Sequence, residues 1–330
     1  MKAMYVCDVK SNIEMVYSEE ARSFLKKSFE LSDTVYEKSE IPENCDAEYI
    51  FSTWGFPVFT EEEIEKYFPR LKVVFYGAGS VQYFARPFLN KNIKVLSAWL
   101  ANGVPVAEYT AAQIILANKG FYNASRICKS KDGYKKAYDY CHSFSGTYDT
   151  NVGILGVGAI GSMVAERLKG YNINVYAYDP YLTDEKASKL GVIKADLDYI
   201  FENCQTISNH IANIPKTVGM LDYKLFSKMK DNAVFINTGR GAQVVEKDLQ
   251  RALYEKPNRC AVLDVTINEP CDDGSDFYKL DNVFLTPHIA GSFGNECKRM
   301  GDYMTDEAKR MLSGDSFKYS VTKKMLETMA

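Results

Sequence analysis

An α/β fold built on parallel sheets and divided into two domains is the class the sequence predicts, and three observations predict it. Short β-rich runs alternate with helix-length amphipathic segments along almost the whole chain. That alternation occurs twice, and 330 residues exceed the size at which one hydrophobic core usually keeps growing.

In the first third, residues 2–7, 48–53, 72–76 and 93–97 read as strands, with a helix over 60–68 and a polar turn at 90–92. A long helical pattern starts at Gly103, carries Val106, Tyr109, Ala112, Ile115 and Leu116 on its apolar face, and runs to Tyr122. Pro105 suits the first turn of that helix. Residues 124–150 form a polar, tyrosine-rich stretch that includes His142, expected at the surface. Strands at 151–156, 174–179, 206–210, 232–237, 260–265 and 283–286 then build the larger domain. Past Gly291 a helical pattern over 294–312 returns the chain to the first domain. The division is therefore a discontinuous domain, 1–102 plus 292–330, and a second domain over 103–291.

Composition narrows the function classes. Hydrophobic residues at 46% and charged residues at 25% are ordinary globular values. A net charge of -3 offers no basic face for a run of phosphates, so nucleic acid is not an expected partner. Eight cysteines without a CxxC pair read as reduced thiols in a cytoplasmic protein, and no metal site is assigned. The N-terminal segment lacks the apolar core of a signal peptide, and no apolar stretch is long enough to span a bilayer.

The segment 152–168, VGILGVGAIGSMVAERL, sets Gly156, Gly158 and Gly161 as G-x-G-x-x-G between a strand and a helix. The first glycine permits the tight turn, the second lets backbone approach a pyrophosphate, and the third lets the helix pack closely. The N–H groups of Ala159, Ile160 and Gly161 then face the phosphates at a helix N-terminus. Asp179 follows 18 residues after Gly161, where a carboxylate accepts from the adenosine ribose hydroxyls and disfavours a 2'-phosphate. The cofactor expected is NAD.

Three later strand ends carry ionisable residues beside glycine or proline: Arg240 in INTGRG, Glu269 in DVTINEP and His288 in LTPHIAGS. A guanidinium flanked by Gly239 and Gly241 can meet a carboxylate in forked geometry. His288 is one of three histidines, and imidazole suits removal of a proton from an alcohol. Glu269 can accept from that imidazole and fix its tautomer.

Taken together with VAEYT (106–110), HIANIPKT (210–217), LDVTINEP (263–270) and TPHIAG (286–291), these motifs resemble, in order, those of the D-isomer-specific 2-hydroxyacid dehydrogenase family. The resemblance implies two Rossmann-like domains, one flavodoxin-like and one doubly wound, with an interdomain active-site cleft closed by domain movement. It implies that Arg240 holds the substrate carboxylate and carbonyl oxygen, that His288 is the acid/base, and that Glu269 is its partner. It further implies that Thr110, His210, Ala212, Thr217, Thr238, Gly239, Asp264 and Gly291 line the cofactor, Asp264 facing the nicotinamide carboxamide. Ala78 and Gly79, in YGAGS (76–80), match the loop whose N–H groups bind the substrate carboxylate.

The pattern departs from the family at Ala212 and Ile214, which replace the usual Pro and Thr, and at residues 266–268. Trp54 and Phe56, in STWGFPVF, read equally as pocket wall or core. The implied activity is NAD-dependent interconversion of a small 2-hydroxy acid and its 2-keto acid by a homodimer. A family-related NAD-binding corepressor and a formate-type dehydrogenase are the alternatives; the complete Arg, Glu and His set speaks against the first.

Overall fold

The computed structural model describes residues 1–144 and 146–327, so Ser145 of the tyrosine-rich stretch and the last three residues lie outside the described residues. The chain divides into two compact units, Met1–Gly103 with Ser292–Ala330, and Val104–Gly291.

In the first unit, strands β1 (Ala3–Val6), β2 (Val35–Tyr36), β3 (Tyr49–Ser52), β4 (Val73–Tyr76) and β5 (Lys94–Ser97) form one parallel sheet in the order β2-β1-β3-β4-β5. Both faces are covered, which explains why β3 and β4 are apolar or buried at every position instead of alternating. Its helices are α1 (Ser11–Val16), α2 (Glu19–Ser28), α3 (Glu61–Tyr67), α4 (Ala85–Asn90), the start of α5 (Trp99–Asn118) and, from the distant C-terminal segment, α13 (Glu296–Leu312). A capping box opens α3: the Thr60 hydroxyl accepts from Glu63 N–H, and the Glu63 carboxylate accepts from Thr60 N–H. Aromatic rings dominate the core, with Phe51 stacked on Phe75 at 4.7 Å between centroids. Phe56 belongs to that core, edge-on to Phe84 at 4.8 Å, and Trp54 lies half-buried against it.

The second unit contains β6 (Thr150–Leu155), β7 (Ile173–Tyr178), β8 (Ile193–Lys194), β9 (Thr206–Asn209), β10 (Val234–Asn237), β11 (Cys260–Leu263) and β12 (Val283–Leu285). They pair in parallel in the order β12-β11-β10-β9-β6-β7-β8. The order reverses between β6 and β9, the kind of switch point at which doubly wound sheets bind ligands. Helices α6 (Phe121–Ile127), α7 (Lys131–Cys141), α8 (Ala159–Leu168), α9 (Asp184–Leu190), α10 (Leu197–Asn203), α11 (Tyr223–Phe226) and α12 (Glu246–Glu255) complete it. One core gathers Ala107, Ile114 and Val164; another gathers Phe201, Phe226 and Leu249.

One sequence expectation is corrected. The long helix does not begin at Gly103 with Pro105 in its first turn: it begins at Trp99, and Pro105 is its seventh residue. Ala98 and Ala101 are buried in the first unit's core and Trp99 packs edge-on against Tyr319, so the chain coils four residues early and tolerates the missing Pro105 N–H. The polar, tyrosine-rich stretch over 124–150 is partly helical. It contains the end of α6 and all of α7, whose start is fixed by the Ser130 hydroxyl accepting from Gly133 N–H. His142, just past α7, is exposed as expected. Among the described residues the eight cysteines are free, and no helix is long and apolar enough to cross a membrane.

Helix α13 approaches the end of α1 through Gly301, where a Cβ would collide with the Val16 carbonyl oxygen. Ala outranks Gly in a helix interior by about 1 kcal/mol. Overpacking against backbone costs about 1–3 kcal/mol and wins here. Gly301→Ala should therefore lower the midpoint of chemical unfolding; a midpoint at or above wild type would show that the approach relaxes freely.

Candidate active site

In the second unit the residues singled out from the sequence lie just past the C-terminal ends of successive strands. Gly156 follows β6, Asp179 follows β7, His210 follows β9, Arg240 follows β10, Asp264 follows β11 and His288 follows β12. A parallel sheet delivers all its strand ends to one edge, which is how residues so far apart in sequence share it.

The glycine turn has the shape its sequence calls for. Gly156 has φ of +87°, and a Cβ there would come within 2.6 Å of the His210 carbonyl oxygen. A Cβ on Gly161 would collide with the Gly156 carbonyl oxygen, whereas one on Gly158 would meet nothing within 4 Å. The turn thus packs tightly behind and leaves its backbone approachable at Gly158, ahead of the α8 N-terminus at Ala159 and Ile160, as a pyrophosphate requires. Asp179 accepts from Val157 N–H at 2.7 Å and Tyr181 N–H at 2.8 Å, which orients the carboxylate and leaves lone pairs for hydroxyl donors. Lys186 Nζ donates to the Val157 carbonyl. These residues fit an NAD pyrophosphate and ribose.

Around the turn, His210 Nε2 lies 2.9 Å from Ser208 Oγ, while Nδ1 has no partner and is shut off from solvent. Burial holds this imidazole neutral, with its pKa lowered to about 4. The Thr217 hydroxyl donates toward the Ala212 carbonyl at 2.6 Å and accepts from Ile214 N–H at 3.1 Å, so it closes its own loop where the family's Pro and Thr are missing. Thr110 and Thr238, both buried, share a hydrogen bond of 3.0 Å.

Arg240 sits on a braced turn. Buried Asn237 donates through Nδ2 to the Arg240 carbonyl and accepts from Gly239 N–H, and Gln243 Oε1 accepts from Arg240 N–H. Asn209, last residue of β9, joins this bracing by donating to Asn237 at 3.0 Å and Gln243 at 3.3 Å. The guanidinium is half-buried and donates to the Gly239 carbonyl; desolvation lowers its pKa and the Glu269 charge opposes that shift. Sequence reasoning missed the Asn209–Asn237–Gln243 network. Its signal was an asparagine at the end of each of two strand-like runs, 206–209 and 234–237.

His288 has φ of +55°, a left-handed backbone that non-glycine residues rarely adopt. Its Nδ1 is 2.7 Å from Glu269 Oε2, which leaves Nε2 as the free nitrogen. The loop is held by Asp264, almost fully buried, whose carboxylate accepts from Thr286 Oγ1 at 2.6 Å, Ile289 N–H at 2.8 Å and Ala290 N–H at 2.9 Å. Gly291 follows directly and ends the unit. A cavity of about 490 Å³ adjoins the pair, lined by Asp264, Thr266, Glu269, Cys271, Tyr278 and His288 among others.

In the first unit, Ala78 and Gly79 follow β4, where Ser97 Oγ donates to their carbonyl oxygens at 2.9 and 2.6 Å.

Comparison with known proteins accords with this geometry. Residues 111–290 match the model of the D-isomer specific 2-hydroxyacid dehydrogenase NAD binding domain. A D-3-phosphoglycerate dehydrogenase of Mycobacterium bovis is 30% identical over 250 residues, 75% of this chain and 46% of that protein, so the chain spans about half the length of such relatives. In fold it is similar to D-mandelate dehydrogenase of Rhodotorula graminis, with a TM-score of 0.81 at 17% identity over 98% of both chains. It is similar also to the NAD-complexed D-isomer specific 2-hydroxyacid dehydrogenase of Lactobacillus delbrueckii ssp. bulgaricus, with a TM-score of 0.76 at 20% identity over 97% of this chain and 100% of that one. The chain belongs to the NAD-binding D-isomer-specific 2-hydroxyacid dehydrogenase family.

Proposed function

We propose that this protein interconverts a small 2-hydroxy acid and its 2-keto acid, with His288 as acid/base. The observation that carries the reading is the 2.7 Å contact of His288 Nδ1 with Glu269, which commits Nε2 to the reacting oxygen. NAD, held at the glycine turn, supplies the hydride acceptor for oxidation and, when reduced, the hydride donor.

In oxidation, Nε2 takes the hydroxyl proton as the C2–H bond breaks; in reduction it returns that proton to the developing alkoxide. Glu269 holds Nδ1–H throughout and faces the imidazolium with a negative charge. Arg240 pairs with the substrate carboxylate, its guanidinium kept charged and aimed by the braced turn. On the first unit, Ala78 and Gly79 supply backbone N–H donors for a substrate carboxylate. Asp179 receives the adenosine ribose, and Thr110, His210, Ala212, Thr217, Thr238, Gly239, Asp264 and Gly291 lie along the cofactor. We take the protein to be a cytoplasmic homodimer, consistent with its free cysteines.

The test is oxidation of NADH at 340 nm with 2-keto acids of graded size: glyoxylate, pyruvate, hydroxypyruvate and phenylpyruvate. The panel includes 3-phosphohydroxypyruvate because the Mycobacterium bovis relative is named D-3-phosphoglycerate dehydrogenase. Turnover of at least one, giving the D-hydroxy acid, is expected; no turnover of any would overturn the reading.

Replacing His288 by Ala should lower kcat by roughly 10²- to 10⁴-fold while NADH affinity, followed by fluorescence titration, is retained. Loss of NADH binding instead would make the residue structural. Asp179→Asn removes the charge that repels a 2'-phosphate. The ratio of NADPH to NADH dissociation constants should fall in that variant, and an unchanged ratio would show that Asp179 does not discriminate.

A further inference from the structure

Helix α5 reaches the strand ends of the second unit through two consecutive residues. The Tyr109 hydroxyl lies 3.2 Å from Thr286 Oγ1, and the Thr110 hydroxyl lies 3.0 Å from Thr238 Oγ1. Thr286 follows β12 and opens the loop that carries His288; Thr238 follows β10 and leads into the Arg240 turn. In the sheet β12 and β10 stand on either side of β11, about 10 Å apart. The helix itself is a fixed reference, since Ala107, Ile114 and Ala117 are packed into the unit's core.

A hydroxyl has one hydrogen to give, and Thr286 gives its own to Asp264 Oδ1 at 2.6 Å. Tyr109 is therefore the donor of its pair, and a directed chain runs from the Tyr109 O–H to Thr286 Oγ1 and on to the Asp264 carboxylate. Each bond in such a chain polarises and strengthens the next. Other bonds of the His288 loop run to the end of β11: Thr286 N–H to the Leu263 carbonyl, His288 N–H to the Asp264 carbonyl, and the N–H groups of Ile289 and Ala290 to the Asp264 carboxylate. These shape the loop but set no distance from a helix. Among the described residues Tyr109 alone ties residues 286–290 to a helix by a hydrogen bond.

We infer that Tyr109 is a positioning residue for the acid/base step: acting through Thr286 and Asp264, it sets the His288 loop against α5, the helix from which Thr110 holds the Arg240 turn. The spacing of imidazole and guanidinium on the second unit is thereby referred to one helix. This rests on the function proposed above. In this role Tyr109 touches neither the acid nor the dinucleotide, so its hydroxyl bears on the rate of the bound complex and not on affinity for NADH.

Tyr109→Phe removes the hydroxyl and keeps the ring. With NADH and a panel acid that the wild type reduces, it should lower kcat by roughly two- to tenfold, the range of one hydrogen bond. KM for the acid and the NADH dissociation constant, followed by fluorescence titration, should stay near the wild-type values. Thr286→Ser keeps both links of the chain and should hold kcat near wild type. Thr286→Val removes both links, so adding Tyr109→Phe to it should cost nothing further. A wild-type kcat in Tyr109→Phe would overturn the inference. So would the same loss whether or not Thr286 is intact, since the hydroxyl would then act by another route, and so would weakened NADH binding in Tyr109→Phe. Any of these results beside turnover by the wild type sinks the role of Tyr109 alone, whereas no reduction of any acid sinks the proposed function and this inference with it.

Discussion

Everything proposed for the second unit hangs on one buried carboxylate. Asp264 accepts from the Thr286 hydroxyl and from the N–H groups of Ile289 and Ala290, while its own carbonyl accepts from His288 N–H. Hydrogen bonds to a charged group contribute about 1.5–3 kcal/mol each. A non-glycine residue in the left-handed region costs about 1–2 kcal/mol. Three such bonds outweigh the strain at His288, and the strained backbone is what turns the imidazole toward Glu269. Remove the carboxylate and residues 286–290 lose three of the hydrogen bonds that hold that shape.

The neighbouring turn solves the same problem differently. Arg240 is aimed by neutral amides, Asn209, Asn237 and Gln243, all buried and joined to one another at the carboxyl ends of β9 and β10. Buried polar groups of this kind rigidify when satisfied and cost heavily when not. A charged brace beside a guanidinium would neutralise it; neutral amides hold the turn and leave the charge of Arg240 for its ligand, while the Glu269 charge favours the guanidinium's charged form.

The chemistry-bearing residues of the second unit were legible because apolar runs such as 234–236 and 283–285 lead into Asn237 and His288, as the run before Gly156 does. The parts that escaped were those decided by tertiary context. Strands Val35–Tyr36 and Ile193–Lys194 are too short to show a period. Helix α5 starts at Trp99 because of contacts with Tyr319 and the first unit's core, which no local signal around Pro105 reveals. Helix α7 buries only Gly133 and Ala137, so its sequence looks solvated throughout. The loop-organising roles of Asp264 and Thr217 were hidden for a further reason: a side chain that bonds backbone N–H groups leaves no mark on the sequence of the partner.

Because the first unit draws on residues 1–103 and 292–330, it is assembled from two segments that flank the stretch encoding the second. During synthesis the ribosome releases β1 to β5 long before α13, whose Gly301 must settle against Val16. The five-stranded sheet therefore waits for α13 while the seven-stranded one, encoded without interruption, has all its parts. Maturation of the second unit first, and of the first unit last, follows from that order of delivery.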